Sequence, residues 1–229
     1  RGKNPFGYRL TNLILHAAAA GLLTLLLATV WQPQQAGDEA SPLPRGVLAG
    51  SLVGGLLYGV HPVMVEAVAS ASFREDLLVS LFVIAAVVCA IHFRPGQCRW
   101  PAFVGVVCIF LAVASKENGV AGPVILSAYW WIFRRRESRR PWGLFLAAAW
   151  AVTGAFLLAR FLWPPEQSAV FHVKPSYLGG SFTRALIIQT RIWVFYLRQL
   201  VWPDQLCGDY GPYSIRNTGP WLAIPGLVV

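Results

Sequence analysis

Apolar runs separated by short polar breaks constrain this chain more than any other feature. A transmembrane helix needs roughly 20 mostly apolar residues, somewhat fewer where polar ends snorkel to the interface. Six segments read as such spans: about 10–30, 47–63, 77–93, 101–115, 119–133 and 142–163, the fourth and fifth being short. A seventh begins near Trp221 and runs to Val229, giving 221–229 as a truncated span. Charged residues make up 13% of the chain, about half of what a soluble domain carries. The expected fold is an all-α integral membrane bundle of about seven spans, forming one domain over 1–229. Since the sequence opens at Arg1 and stops inside an apolar run, it reads as part of a longer protein.

The net charge of +9 raises nucleic acid as a partner, but the cations are not spread over a face. Arg134, Arg135, Arg136, Arg139 and Arg140 follow directly on an apolar run, the pattern of a cytoplasmic loop under the positive-inside rule. Nucleic acid is therefore rejected. Alternation then places the loops at 31–46 and 94–100 on the same inner side, and these carry Arg45, Arg94 and Arg99. The residues before the first span, the connection at 64–76, the turn at 115–118 and the segment 164–220 fall outside. Gly50, Gly54, Gly55 and Gly59 recur at four-residue spacing on the second span and read as helix packing. The four cysteines form no metal-ligand or disulfide pattern, and no metal site is expected.

Within the outer segment, Arg184, Arg191 and Arg198 repeat every seven residues between apolar neighbours. Three arginines make a full span costly, so an amphipathic helix over about 181–202 lying in the outer interface is expected. Charged groups at membrane level are functional candidates by default. His61, Glu66, Arg74, Glu75, Asp76, Lys116 and Glu117 all fall on the outer side, with Asn12 and His16 pointing the same way. Each also has a plain structural reading. Arg74, Glu75 and Asp76 suit a loop ion pair, and Lys116–Glu117 suits a tight turn. His16 suits a helix-to-helix hydrogen bond, and His61 before Pro62 suits the kink ending a span. As a group they suit two chemistries. In sugar transfer from a lipid carrier, a carboxylate takes the acceptor proton while cations steady the departing phosphate. In transport, charges line a path across the bilayer. Collection at one interface favours the first.

Four segments carry a family resemblance. NPFGYRLTNLILHA (Asn4–Ala17) resembles the stretch after the first large outer loop of membrane O-mannosyltransferases with tetratricopeptide repeats. HPVMVEAVASASFREDLL (His61–Leu78) resembles that family's HPxxxEAV…GRxDLL signature, and SKENG (Ser115–Gly119) its SKE turn. YLRQLVWPDQLCGDY (Tyr196–Tyr210) is similar to the aromatic and proline-containing stretch that follows. Phe73 and Met64 depart from the pattern, standing where the family commonly has Gly and His.

The resemblance implies a GT-C-type bundle that transfers mannose or a related sugar from a polyprenyl-phosphate carrier to a protein hydroxyl, with inversion. The reaction would occur on the lumenal or periplasmic face, in an endoplasmic reticulum or bacterial inner membrane. Partners would be membrane lipids, the lipid-linked sugar and the acceptor protein. His61, Arg74, Lys116 and Glu117 would bind substrate, with Arg191 and Arg198 near the cavity mouth. Glu66 and Asp76 are the acid candidates inside this sequence, although the family's catalytic carboxylate is expected upstream of it. A non-catalytic scaffold subunit and a lipid-linked sugar transporter are the alternative readings.

Overall fold

The computed structural model describes residues 6–31, 43–70, 73–96, 98–136, 139–162, 182–204 and 206. All regular structure among them is helical. Residues 1–163 and 164–229 form two separate units. Among its described residues the first holds seven α-helices, α1 (Phe6–Trp31), α2 (Arg45–Val60), α3 (Val65–Ala69), α4 (Arg74–His92), α5 (Trp100–Ser115), α6 (Ala121–Tyr129) and α7 (Arg139–Leu162). The second holds α8 (Phe182–Val201).

Three helices, α1, α4 and α7, are long and apolar enough to cross a membrane. A fourth crossing is available if α2 and the segment Pro62–Ala69, bent by 45°, act as one span. α5 is apolar but has only 16 residues, about 24 Å of helix. α6 has nine, continued by a π-helical turn over Trp130–Arg134. Among the described residues, three helices and one bent pair thus have the length and apolarity of a span, and the expected span 221–229 lies outside the described residues.

The chain changes direction where its residues dictate. Pro62 disfavours helical backbone at His61, which is extended at φ −63°, ψ 125°. The Val63 N–H then donates to His61 Nδ1 at 3.2 Å, starting the 3₁₀ turn Pro62–Met64 that leads into α3. The stretch expected to be a simple 64–76 connection is therefore partly helical. α5 begins with Pro101 in its first turn, where the missing N–H costs nothing.

In this unit α1 packs on α2 and α4, α4 on α5, and α5 on α7. Small side chains make close approach possible: Ala86 and Ala90 on α4 and Cys108 and Ala112 on α5 are buried. A β-carbon on Gly55 would lie 1.8 Å from Thr24 Oγ1 and 3.1 Å from the Ala20 carbonyl, so α2 meets α1 through that glycine. Aromatic residues close one end of the core. Phe93 meets Trp142 edge-on at 5.1 Å and Phe145 at 5.5 Å between centroids. Meanwhile Leu56, Leu57, Phe103, Leu144 and Leu158 stand exposed on the outside. Such a surface is stable against acyl chains rather than water.

The helices α1, α2, α4, α5, α6 and α7 alternate in direction, so the bundle has two chemically different ends. The starts of α1 and α4 share one end with the finishes of α2, α5 and α7. The other end carries the arginine-rich connections. One of those arginines is not a loop residue as expected. Arg134 is buried in the π-helical turn, donating to the Tyr129 hydroxyl at 3.1 Å and the Ile91 carbonyl at 3.3 Å.

Candidate functional site

The first end of the bundle is built around Asn12, a fully buried amide on α1. Its Nδ2 donates to the Ser70 carbonyl at 2.8 Å, with longer contacts to Val68 and Ala67 at 3.3 and 3.4 Å. Those carbonyls lie at the C-terminal end of α3, where helical carbonyls run out of intrahelical donors. The same side chain offers Oδ1 to Arg74 Nε at 3.1 Å. Arg74 also donates to the Tyr8 carbonyl at 3.4 Å and lies 5.4 Å from the Tyr8 ring centroid. All of these partners are neutral, and among the described residues no carboxylate pairs with Arg74. Among the described residues its positive charge is thus positioned by neutral groups alone. His16, one turn further along α1, bonds the Gly59 carbonyl through Nε2 at 3.0 Å. It ties α1 to α2, the structural alternative for that residue.

Beside Arg74, the first turn of α4 carries Glu75 and Asp76, where carboxylates complement the helix dipole. α5 ends at Lys116, whose extended backbone (φ −161°, ψ 153°) breaks the helix. The lysine reaches across to Asp76 Oδ2 at 2.7 Å and Glu75 Oε1 at 3.4 Å. Its ammonium also lies 5.9 Å from the Phe73 ring. The hydrogen bond that Lys116 donates to Asp76, reinforced by Glu75, raises the Lys116 pKa above its ordinary value and outweighs partial burial. Lys116 is thus held protonated.

The next residue faces elsewhere. Glu117 pairs with Arg160 in the last turn of α7. Glu66 is exposed on α3 and has no polar partner among the described residues. The structure therefore brings Arg74, Glu75, Asp76 and Lys116 to one end with Asn12 and Tyr8. It gives Glu117 a separate ion pair and engages His61 in capping. In the second unit Arg198 pairs with Asp204, and the Arg191 side chain lies outside the described residues.

Sequence reading missed Tyr8 and Arg160. Tyr8 acts through a backbone carbonyl and a ring, neither of which stands out in a sequence. Arg160 did leave a signal, a lone charge inside the expected span 142–163. Among the described residues no group of three or more His, Cys, Asp or Glu is arranged to hold a metal ion.

The sequence is similar to several known proteins. Human protein O-mannosyl-transferase TMTC2 is 27% identical over 230 aligned positions, covering 91% of this chain and 26% of the relative. Protein O-mannosyl-transferase F38B6.6 of Caenorhabditis elegans is 29% identical over 167 positions, 71% of this chain and 22% of the relative. Human protein O-mannosyl-transferase TMTC4 is 33% identical over 81 positions, 35% of this chain and 11% of the relative. The chain spans about a quarter of the length of TMTC2. No family model matches the chain, and no solved structure does. The chain is similar in sequence to proteins named protein O-mannosyl-transferases.

Proposed function

We propose, from that kinship, that the protein containing this chain is a membrane glycosyltransferase, moving mannose from a polyprenyl-phosphate carrier to a protein hydroxyl on the non-cytoplasmic side. The acceptor oxygen attacks the anomeric carbon, and the bond from that carbon to the carrier phosphate oxygen breaks. The hydroxyl proton passes to a carboxylate, and the carrier leaves as its phosphate. A donor of this kind needs a cation at the phosphate more than anything else.

The observation that carries the reading is Arg74. Its guanidinium is oriented by Asn12 Oδ1 and the Tyr8 carbonyl, and among the described residues no acid pairs with it. Charge-assisted contacts to phosphate are roughly twice as strong as neutral ones, and the planar guanidinium suits them. Lys116 stands near in the chain's fold but already shares Asp76 and Glu75, so it serves as the second cation and as a brace for α4. Glu66, exposed and unpaired among the described residues, remains the acid free to contact sugar or acceptor. The catalytic carboxylate itself is assigned to a part of the protein outside this chain.

The test uses the full-length protein with mannosyl-phosphoryl-polyprenol and an acceptor peptide. Arg74→Gln should lower transfer by about tenfold to a hundredfold, the worth of one charged hydrogen bond, with membrane insertion unchanged. Wild-type transfer by that variant would remove Arg74 from the site.

A further inference from the structure

At the opposite end of the bundle a cavity of about 800 Å³ opens between α5 and α7. Three arginines stand at it: Arg94 just past α4, Arg99 at the N-cap of α5, and Arg140 in the first turn of α7. Below them the walls are apolar and partly small, including Ala102 and Val106 on α5 and Ala148 on α7. From residue 141 to residue 148 the α7 wall descends about 10 Å along the helix axis. The cavity therefore has a cationic mouth and a hydrocarbon floor.

We propose that this groove binds one anionic phospholipid, with its phosphate at Arg94, Arg99 and Arg140 and an acyl chain lying over Ala102, Val106 and Ala148. Positive charge in an inner connection serves topology wherever it sits, but these three converge on a single cavity. Two of them also occupy positions that work against the helices carrying them. A cation at a helix N-terminus opposes the macrodipole, and neither α5 nor α7 has an acidic residue in its first turn to offset it. Among the described residues none of the three has a carboxylate partner. A phosphate placed there meets three guanidinium groups and the positive ends of two helices at once. Leu144 and Phe103 flank the groove and are exposed, so the site opens sideways to lipid. This inference rests on the chain being membrane-embedded and is independent of sugar transfer.

The full-length protein in phosphatidylcholine-containing micelles should be titrated with dioleoyl phosphatidic acid and the bound lipid counted by native mass spectrometry. Wild type should retain phosphatidic acid at least about tenfold better than phosphatidylcholine. Replacing Arg94, Arg99 and Arg140 together by Gln should abolish that preference, since each basic side chain near such a headgroup contributes on the order of fivefold. Replacing Arg135, Arg136 and Arg139 by Gln removes the same charge from the neighbouring surface and should leave the preference intact. Equal losses in the two triple variants would mean diffuse surface charge and would overturn the proposal. Ala148→Phe fills the floor and should weaken lipid retention without lowering the melting temperature; unchanged retention would overturn the acyl-chain placement. Competition by glycerol phosphate at the lipid's own concentration would show a headgroup site without a chain, and would overturn it too. If the triple replacement does not fold, Arg99→Gln alone, at an exposed cap, should cost about fivefold, and no loss would count against the site.

Discussion

Asn12 spends both polar atoms of its side chain on groups from other parts of the chain. Its amide serves the last carbonyls of α3, and its oxygen orients Arg74. Asn12→Ala should therefore destabilise the folded protein by about 1–3 kcal/mol, the cost of buried groups left unpaired, read as a lower melting temperature in detergent. Asn12→Asp separates folding from function. It keeps an acceptor for Arg74 but turns a neutral partner into a carboxylate, so transfer should fall even where the protein still melts cooperatively. Full transfer in Asn12→Asp would mean that the neutrality of this Arg74 partner is not what matters. Lys116 gives a pH prediction. Its folded-state pKa is raised above its ordinary value of 10.5, so the ion pair's contribution is complete below that value. It is lost as pH rises through the higher folded value. With Lys116 side-chain exposure of 26%, the contribution is about 1 kcal/mol or less. The gap in melting temperature between wild type and Lys116→Met should accordingly be constant through neutral pH and shrink only in strong alkali. Asp76 and Lys116 were both identifiable as unusual charges, but their pairing was not. They lie 40 positions apart, and only the antiparallel packing of α4 on α5 joins them.

At the level of elements, hydropathy located the helices and local chemistry shaped them. The apolar runs at 77–93 and 142–163 match α4 and α7 closely, because an unbroken run leaves the backbone only one way to satisfy itself in lipid. The runs at 47–63 and 119–133 were harder to read. Pro62 bends the first, and the second opens with a 3₁₀ turn over Glu117–Val120 and closes with a π-helical one. Hydropathy averages over such breaks. Gly119 shows why that 3₁₀ turn exists: a β-carbon there would lie 2.5 Å from the Ala112 carbonyl carbon and the Val113 nitrogen. These are backbone atoms that cannot swing aside. Gly119→Ala should thus cost about 1–3 kcal/mol by overpacking and displace Lys116 from its acids. A variant that melts with wild type would show that the turn can open at no cost.

For the whole unit, residues 1–163, the decisive property is that its ends differ. One end gathers Arg74, Glu75, Asp76 and Lys116, and the other carries Arg94, Arg99, Arg135, Arg136, Arg139 and Arg140. Arginine counts were enough to separate them, because a charge bias across loops needs no knowledge of packing. Exposed Cys98 lies in the arginine end, and a cysteine substituted at Glu66 lies in the other. In sealed vesicles an impermeant thiol reagent added outside should modify only one of the two. Modification of both from one compartment would contradict the arrangement.

The dual grip of Asn12 has a mechanical consequence. A single side chain on the first helix holds both the tail of α3 and the guanidinium of Arg74, so neither travels along the bundle axis without the other. A pull on that arginine would be delivered into α1, 62 positions away in the sequence, like a hand closing on a lever whose pivot is one amide.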